Sequence, residues 1–214
     1  ELLPQVAAFL RVGGREWRLP DAASALRHRA YRLFFAGQLV SLTGTWMQST
    51  AQQWLVYRLT GSPLKLGAVM FAGTLPVMLL SLPAGVVVDR VDKRRFLAGL
   101  QAVQMILAAI LAALVLTDRV TFTHVLVLAA LLGLANTFDM PTRQAFTFEM
   151  VGREDLRNAI ALNSSMFNGA RLFGPALAGV IVASFGEGPA ILLNAVSFLA
   201  VIAALMAMRL PPRP

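Results

Sequence analysis

Residues 66–116 read LGAVMFAGTLPVMLLSLPAGVVVDRVDKRRFLAGLQAVQMILAAILAALVL. Two apolar runs, Leu66 to Val88 and Phe96 to Leu116, flank a seven-residue break, Asp89 to Arg95, that holds four cations and two acids. Each run matches the about 20 apolar residues that a helix needs to cross a hydrocarbon core roughly 30 Å thick. Leu and Ala dominate both runs, and apolar residues do not alternate with polar ones, so these are helices and not strands. A barrel strand would be shorter and would alternate. Two spans joined by a charged break make a hairpin through a membrane, and the chain is therefore an all-α membrane protein.

Four further stretches share this character. Leu33 to Tyr57 precedes the hairpin; Val120 to at least Phe138, Ala159 to Phe185 and Pro189 to Met208 follow it. The expected organisation is a basic N-terminal segment (1–32), a six-span bundle (33–208) and a tail or linker (209–214). Thr60-Gly61-Ser62-Pro63 breaks the first hairpin, with Ser62 placed as an N-cap and Pro63 at the first helical position. Asp118-Arg119 and Gly186-Glu187-Gly188-Pro189 separate later spans. Only Arg58, Lys65 and Arg119 lie on this side, against fifteen Lys and Arg in the two terminal segments and in 89–95 and 139–157. That bias puts both termini in the cytoplasm. Residues 1–32 lack the apolar run and cleavage site of a signal peptide. Asp21 to Tyr31 is expected either as a short helix on the membrane surface, meeting anionic lipid, or as part of a basic leader. A chain starting at Glu1 is expected to be part of a longer product.

Composition narrows the function classes. Of 214 residues 57% are hydrophobic and 14% charged, against about 25% charged in a soluble domain; the mean hydropathy is +0.66. A disordered chain, a disulfide scaffold and a soluble enzyme are excluded. The net charge of +8 fits basic loops on the negative side of a bilayer, and nucleic acid is not an expected partner, because most of the surface faces lipid. There is no Cys, and His28 and His124 lack ligand spacing, so no metal or bound cofactor is expected.

Polar residues inside spans must find partners or water. Gln38, Ser41, Thr45, Gln48 and Gln52 recur at spacings of 3, 4, 3 and 4, which places them on one face of the first helix. That stripe faces either a wet cavity, as a substrate path, or a neighbouring helix that it holds by hydrogen bonds. Arg171 lies about 21 Å along its helix from Arg157, and its cost in lipid, on the order of 3 kcal/mol, turns it inward, with Ser164 and Asn168 on its face. A polar cluster of Thr45, Gln48, Asn168 and Arg171 is predicted. Asp139 and Arg143 share a face and form a helix-end charge pair, with Pro141 expected to kink or end the helix. Asp139 is expected well below Arg171, near the cytoplasmic end, so that no acid sits deep in the spans.

Gly85-Val86-Val87-Val88-Asp89-Arg90-Val91-Asp92-Lys93-Arg94-Arg95 resembles the signature loop of major facilitator superfamily transporters, G-x-x-x-D-R/K-x-G/D-R/K-R/K. The resemblance implies a conformational latch with Gly85 at its start, Asp89 as its acid and Arg90, Lys93, Arg94 and Arg95 as its basic arm. Gly169-Ala170-Arg171-Leu172-Phe173-Gly174-Pro175-Ala176-Leu177-Ala178-Gly179 looks like the exporters' antiporter motif, G-x-x-x-x-G-P-x-x-G-G, with Ala178 in place of one glycine; Gly169, Gly174, Pro175 and Gly179 carry the match. Together with Trp46-Met47-Gln48, Thr60-Gly61-Ser62-Pro63, Asp139-Met140-Pro141-Thr142-Arg143-Gln144-Ala145-Phe146 and Asn168-Gly169-Ala170-Arg171, the chain from Leu26 to Met208 resembles the branch of enterobactin exporter-like proteins and transmembrane secretion effectors.

That branch has twelve spans, so the match is to an N-terminal half, itself two inverted three-helix repeats. The resemblance implies a bacterial inner-membrane exporter of small amphiphilic molecules, drug-like or siderophore-like, working by alternating access with protons as the coupling ion. Spans one, two, four and five would line the path and three and six would face lipid. The implied partners are the bilayer, the substrate, and a second six-helix half or a second copy. A lysophospholipid flippase and a non-transporting six-span scaffold are the alternatives.

Overall fold

A computed structural model describes residues 21–208; residues 1–20 and 209–214, which hold most of the basic N-terminal segment and the expected tail, lie outside the described residues. A 3-10 segment, Asp21–Arg27, leads into six helices: α1 (Arg29–Thr60), α2 (Pro63–Arg90), α3 (Lys93–Leu116), α4 (Phe122–Val151), α5 (Leu156–Phe185) and α6 (Glu187–Ala207). No strand occurs among the described residues. Five of the helices are long and apolar enough to cross a membrane. The exception is α1, although its 32 residues would reach about 48 Å, because the whole polar stripe lies in it.

Local chemistry sets the boundaries. Gly61 ends α1 in the left-handed region (φ +58°), where its lack of a Cβ costs nothing, and its N–H donates to the Tyr57 carbonyl. Ser62 caps α2 by accepting from the Lys65 N–H, with Pro63 at the first helical position. Asp92 caps α3 through the Arg95 N–H at 2.8 Å. Thr121 and His124 bond reciprocally at the start of α4.

The fourth span extends past Phe138, its expected minimum. Pro141 does not end it, and α4 runs on to Val151. The Asp139–Arg143 pair bridges successive turns across Pro141. Thr137, Thr142 and Thr147 donate to the carbonyls four residues back, so their hydroxyls are satisfied within the helix. Pro is tolerated in such a helix when its neighbours satisfy the freed groups. The stretch read as a basic connection is thus mostly helix.

The packing is reciprocal between the two halves of the bundle. α1 lies against α6 and α5, and α4 lies against α3 and α2. Exchanging α1 with α4, α2 with α5 and α3 with α6 maps each of these contacts onto another, as inverted repeats require. The close crossings also correspond. Gly133 of α4 meets the Gly73 carbonyl of α2, and Gly174 of α5 meets Trp46 and Thr43 of α1. Two apolar clusters hold the ends: Leu55, Val69, Leu111, Val125 and Ile191 at one, and Tyr31, Phe34, Leu97, Phe146 and Leu205 at the other, beside the basic loops. Buried polar side chains lie between them. α2 and α5 leave most of their apolar surface open, with Leu64, Leu82 and Phe185 among the most exposed residues.

Candidate functional site

A cleft of about 230 Å³ opens between α1, α2 and α4. Contact at Gly73 and Gly133 pulls α2 onto α4, and α1 stands apart from that crossing. Ser49, Gln52 and Gln53 of α1, Thr74 of α2 and Asn136 of α4 supply the polar lining, set among Leu66, Val69, Met70, Ala129 and Leu132. Gln53 Nε2 reaches Ser49 Oγ at 3.4 Å, and the Thr74 hydroxyl donates to the Met70 carbonyl. The lining carries amides and hydroxyls and no charge, which suits a molecule with an apolar body and a few hydrogen-bonding groups.

Behind Asn136 lies a buried polar network. Gln104 Nε2 contacts Asn136 Oδ1 at 3.4 Å, and Gln101 Nε2 donates to Asp139 Oδ1 at 2.7 Å. Asp139 is 3% exposed and pairs with Arg143. Gln101 Oε1 and Arg143 Nε are buried without a partner. Gln101 stands eight residues beyond Lys93, which places its contact with Asp139 about 12 Å inside the bundle from the charged end of α3. This corrects the expectation that no acid sits deep. In the third span, expected to face lipid, Gln101 and Gln104 bind α4.

The predicted cluster of Thr45, Gln48, Asn168 and Arg171 does not form. Gln38, Ser41 and Gln48 are buried, and in the α1–α6 seam Gly37 and Gly44 admit the backbone of Ala200 and the side chains of Asn194 and Ser197. Gln48 Oε1 accepts from Asn194 Nδ2 at 2.6 Å. Thr45 donates to the Ser41 carbonyl. Of the stripe, Gln52 alone reaches the cleft. Asn168 is exposed and donates to the Ser164 carbonyl. Arg171 is exposed rather than turned into the bundle, its guanidinium 5.7 Å from the centroid of the Trp46 ring. The seam explains both outcomes. α5 meets α1 through Ala170 and Gly174, so Arg171, one residue past Ala170, falls at the edge of the contact.

The charged loop divides its work. Lys93 pairs with Glu149 of α4 at 2.9 Å. Arg94 donates to the carbonyls of Leu205 and Met206, satisfying the end of α6. Asp89, Arg90 and Arg95 point outward, and Gly85 has nothing within 4 Å of a built Cβ. In the second motif Gly174 packs on α1, while Gly169 and Gly179 face open space and Pro175 is half-buried. At the basic end, Ser24 and His28 bond Asp155 at 2.5 and 2.8 Å and the Ala25 N–H donates to Asn158, which straps the 3-10 segment to α5. The Ser24 hydrogen bond and then His28 hold the Asp155 carboxyl below its usual range. At the opposite end Arg58 pairs with the buried Glu187. No group of three His, Cys, Asp or Glu suited to a metal occurs among the described residues.

The family model of the transmembrane secretion effectors, within the major facilitator superfamily, matches residues 21–213. The chain belongs to this family. It is 28% identical over 168 residues to the Staphyloferrin A transporter of Staphylococcus aureus (strain NCTC 8325 / PS 47), covering 78% of this chain and 42% of that protein. It is 31% identical over 183 residues to the Multidrug efflux pump Tap of Mycolicibacterium fortuitum, covering 83% and 45%. An uncharacterized MFS-type transporter of Bacillus subtilis (strain 168), YfiS, is 28% identical over 167 residues, covering 76% and 38%. The chain thus spans under half the length of these relatives. No solved structure gives a significant match. The family is one of membrane transporters and not of enzymes, and the five long apolar helices of this chain fit it.

Sequence reading missed Ser49, Gln53, Thr74, Gln104, Asn136 and Asn194 as contributors. A signal for some of them was present. Gln101 and Gln104 are spaced by three on α3, and Asn136, Asp139 and Arg143 by three and four on α4, so each helix carries one polar stripe and the two stripes match.

Proposed function

We propose that the chain is the N-terminal six-helix half of an exporter for small amphiphilic molecules, with both termini cytoplasmic in a bacterial inner membrane. A second six-helix bundle, in the same polypeptide or a second copy, closes the cleft, and the two bundles rock about it to give alternating access. Protons are the coupling ion, with Asp139 as the acid positioned to carry them. The observation that carries this reading is the uncharged polar cleft between α1, α2 and α4. The open apolar faces of α2 and α5 support a second bundle, and similarity to the Staphyloferrin A transporter and to the Multidrug efflux pump Tap supports siderophore-like or drug-like cargo.

The test is efflux of ethidium and of staphyloferrin A from vesicles containing the full-length protein under a proton gradient. Gln52→Leu and Asn136→Leu each remove a hydrogen bond worth about 1 kcal/mol and slow export of the transported cargo several-fold. Thr117→Ala, whose hydroxyl bonds only its own helix, exports at the wild-type rate. Unaltered export by both folded cleft variants would overturn the proposal.

A further inference from the structure

Arg171 stands halfway along α5, 15 residues from Leu156 and 14 from Phe185. That is about 22 Å and 21 Å from the two helix ends. Its side chain is at the bundle surface, where an arginine against lipid costs on the order of 3 kcal/mol or more. No described acid is available to it. Asp139 is held by Arg143 and Gln101, Glu187 by Arg58, Glu149 by Lys93, and Asp155 by Ser24 and His28. The other described acids sit at helix ends or in connections. The guanidinium instead lies over the Trp46 ring, and that ring is fixed: Phe167 packs edge-on against it at 5.5 Å and Gly174 lies against its Cβ. Among the described residues the guanidinium has no hydrogen-bond acceptor or acid as a partner, and a guanidinium with its N–H groups unused takes a carboxylate through two parallel hydrogen bonds.

We propose that Arg171, on its Trp46 platform, is the receptor for a carboxylate that approaches the open α1–α5 face. The carboxylate comes from the transported molecule or from the second bundle. The inference rests on the transporter reading and adds to it a site outside the cleft, with its own chemistry.

The test is thermal unfolding of the full-length protein in nanodiscs, with citrate and its trimethyl ester as probes. If the carboxylate belongs to the cargo, citrate raises Tm, the ester does not, and Arg171→Gln abolishes the shift. If it belongs to the second bundle, citrate has no effect, wild type melts above Arg171→Gln at pH 7, and the difference closes as that carboxylate is protonated towards pH 4. No citrate shift together with a difference that is absent or independent of pH overturns the proposal; loss of the Trp46 contact alone would give the latter. Retained dependence of ethidium efflux on Gln52 and Asn136 would then leave the transporter reading standing, and loss of that dependence would leave the Arg171 result standing.

Discussion

Gly174→Ala should destabilise this protein while Gly179→Ala, in the same motif and the same helix, should not. At position 174 a Cβ would stand 2.5 Å from Trp46 Cβ and 3.0 Å from both the Met47 nitrogen and the Thr43 carbonyl oxygen. Carbon atoms settle about 3.5–4.0 Å apart, so the new methyl overlaps Trp46 by roughly 1 Å. Two of the three obstacles are α1 backbone, which no rotamer change can move, so α5 must retreat. Overpacking of this kind costs about 1–3 kcal/mol. Alanine's better helix propensity returns up to about 1 kcal/mol at either position, so the two variants differ by the overpacking cost of about 1–3 kcal/mol. For a chain of this size that separates their Tm values by about 2–12 °C. At position 179 a Cβ meets nothing within 4 Å, so only the propensity gain applies and Tm holds or rises. The assay is thermal unfolding of the full-length protein in detergent, followed by tryptophan fluorescence. Melting of the two variants within about 1 °C of each other would refute the reasoning, because it would mean that the α1–α5 seam is not a backbone-limited contact.

Arg143→Met strands the Asp139 carboxylate in the bundle and should cost about 3 kcal/mol, whereas Asp139→Leu combined with Arg143→Met should recover most of the loss; thermal unfolding of the two proteins checks this, and equal instability would show that a stranded charge is not the cause. The Asp155 strap should be sensitive to acid. Because Ser24 and His28 lower the folded-state carboxyl value, the strap's contribution is present above the ordinary value of about 4 and is lost as pH falls through the lower folded value. Hydrogen-exchange protection of residues 24–28 should therefore collapse in that acidic window in wild type, and Asp155→Asn should show no such step.

The helices were legible because lipid imposes one rule on every residue of a span: backbone groups must bond within the segment, and side chains must be apolar. Gly61 and Ser62-Pro63 marked ends by local chemistry that works wherever the helix lies. The far end of the fourth helix was left open beyond Phe138, and 139–157 read as a basic connection, because hydropathy falls there while hydrogen bonding continues. Thr137, Thr142 and Arg143 supply partners that a hydropathy run does not count. The cleft was partly legible, through Gln52, and mostly not, since Ser49, Thr74 and Asn136 are individually ordinary until three helices bring them together.

The residue order alone established an all-helical membrane protein of this superfamily, with six helices and a charged loop between the second and third. It also established that Gln38, Ser41, Gln48 and Gln52 share a face, because helical period follows from backbone geometry. Which neighbour that face meets depends on crossings elsewhere. Small residues at Gly37 and Gly44 bring α6 onto Gln48, the Gly73–Gly133 contact holds α2 away from α1, and Gly174 sets α5 so that Arg171 ends at the rim. Those choices belong to the tertiary structure, because they turn on whether backbones separated by up to 164 positions can approach within a few ångströms.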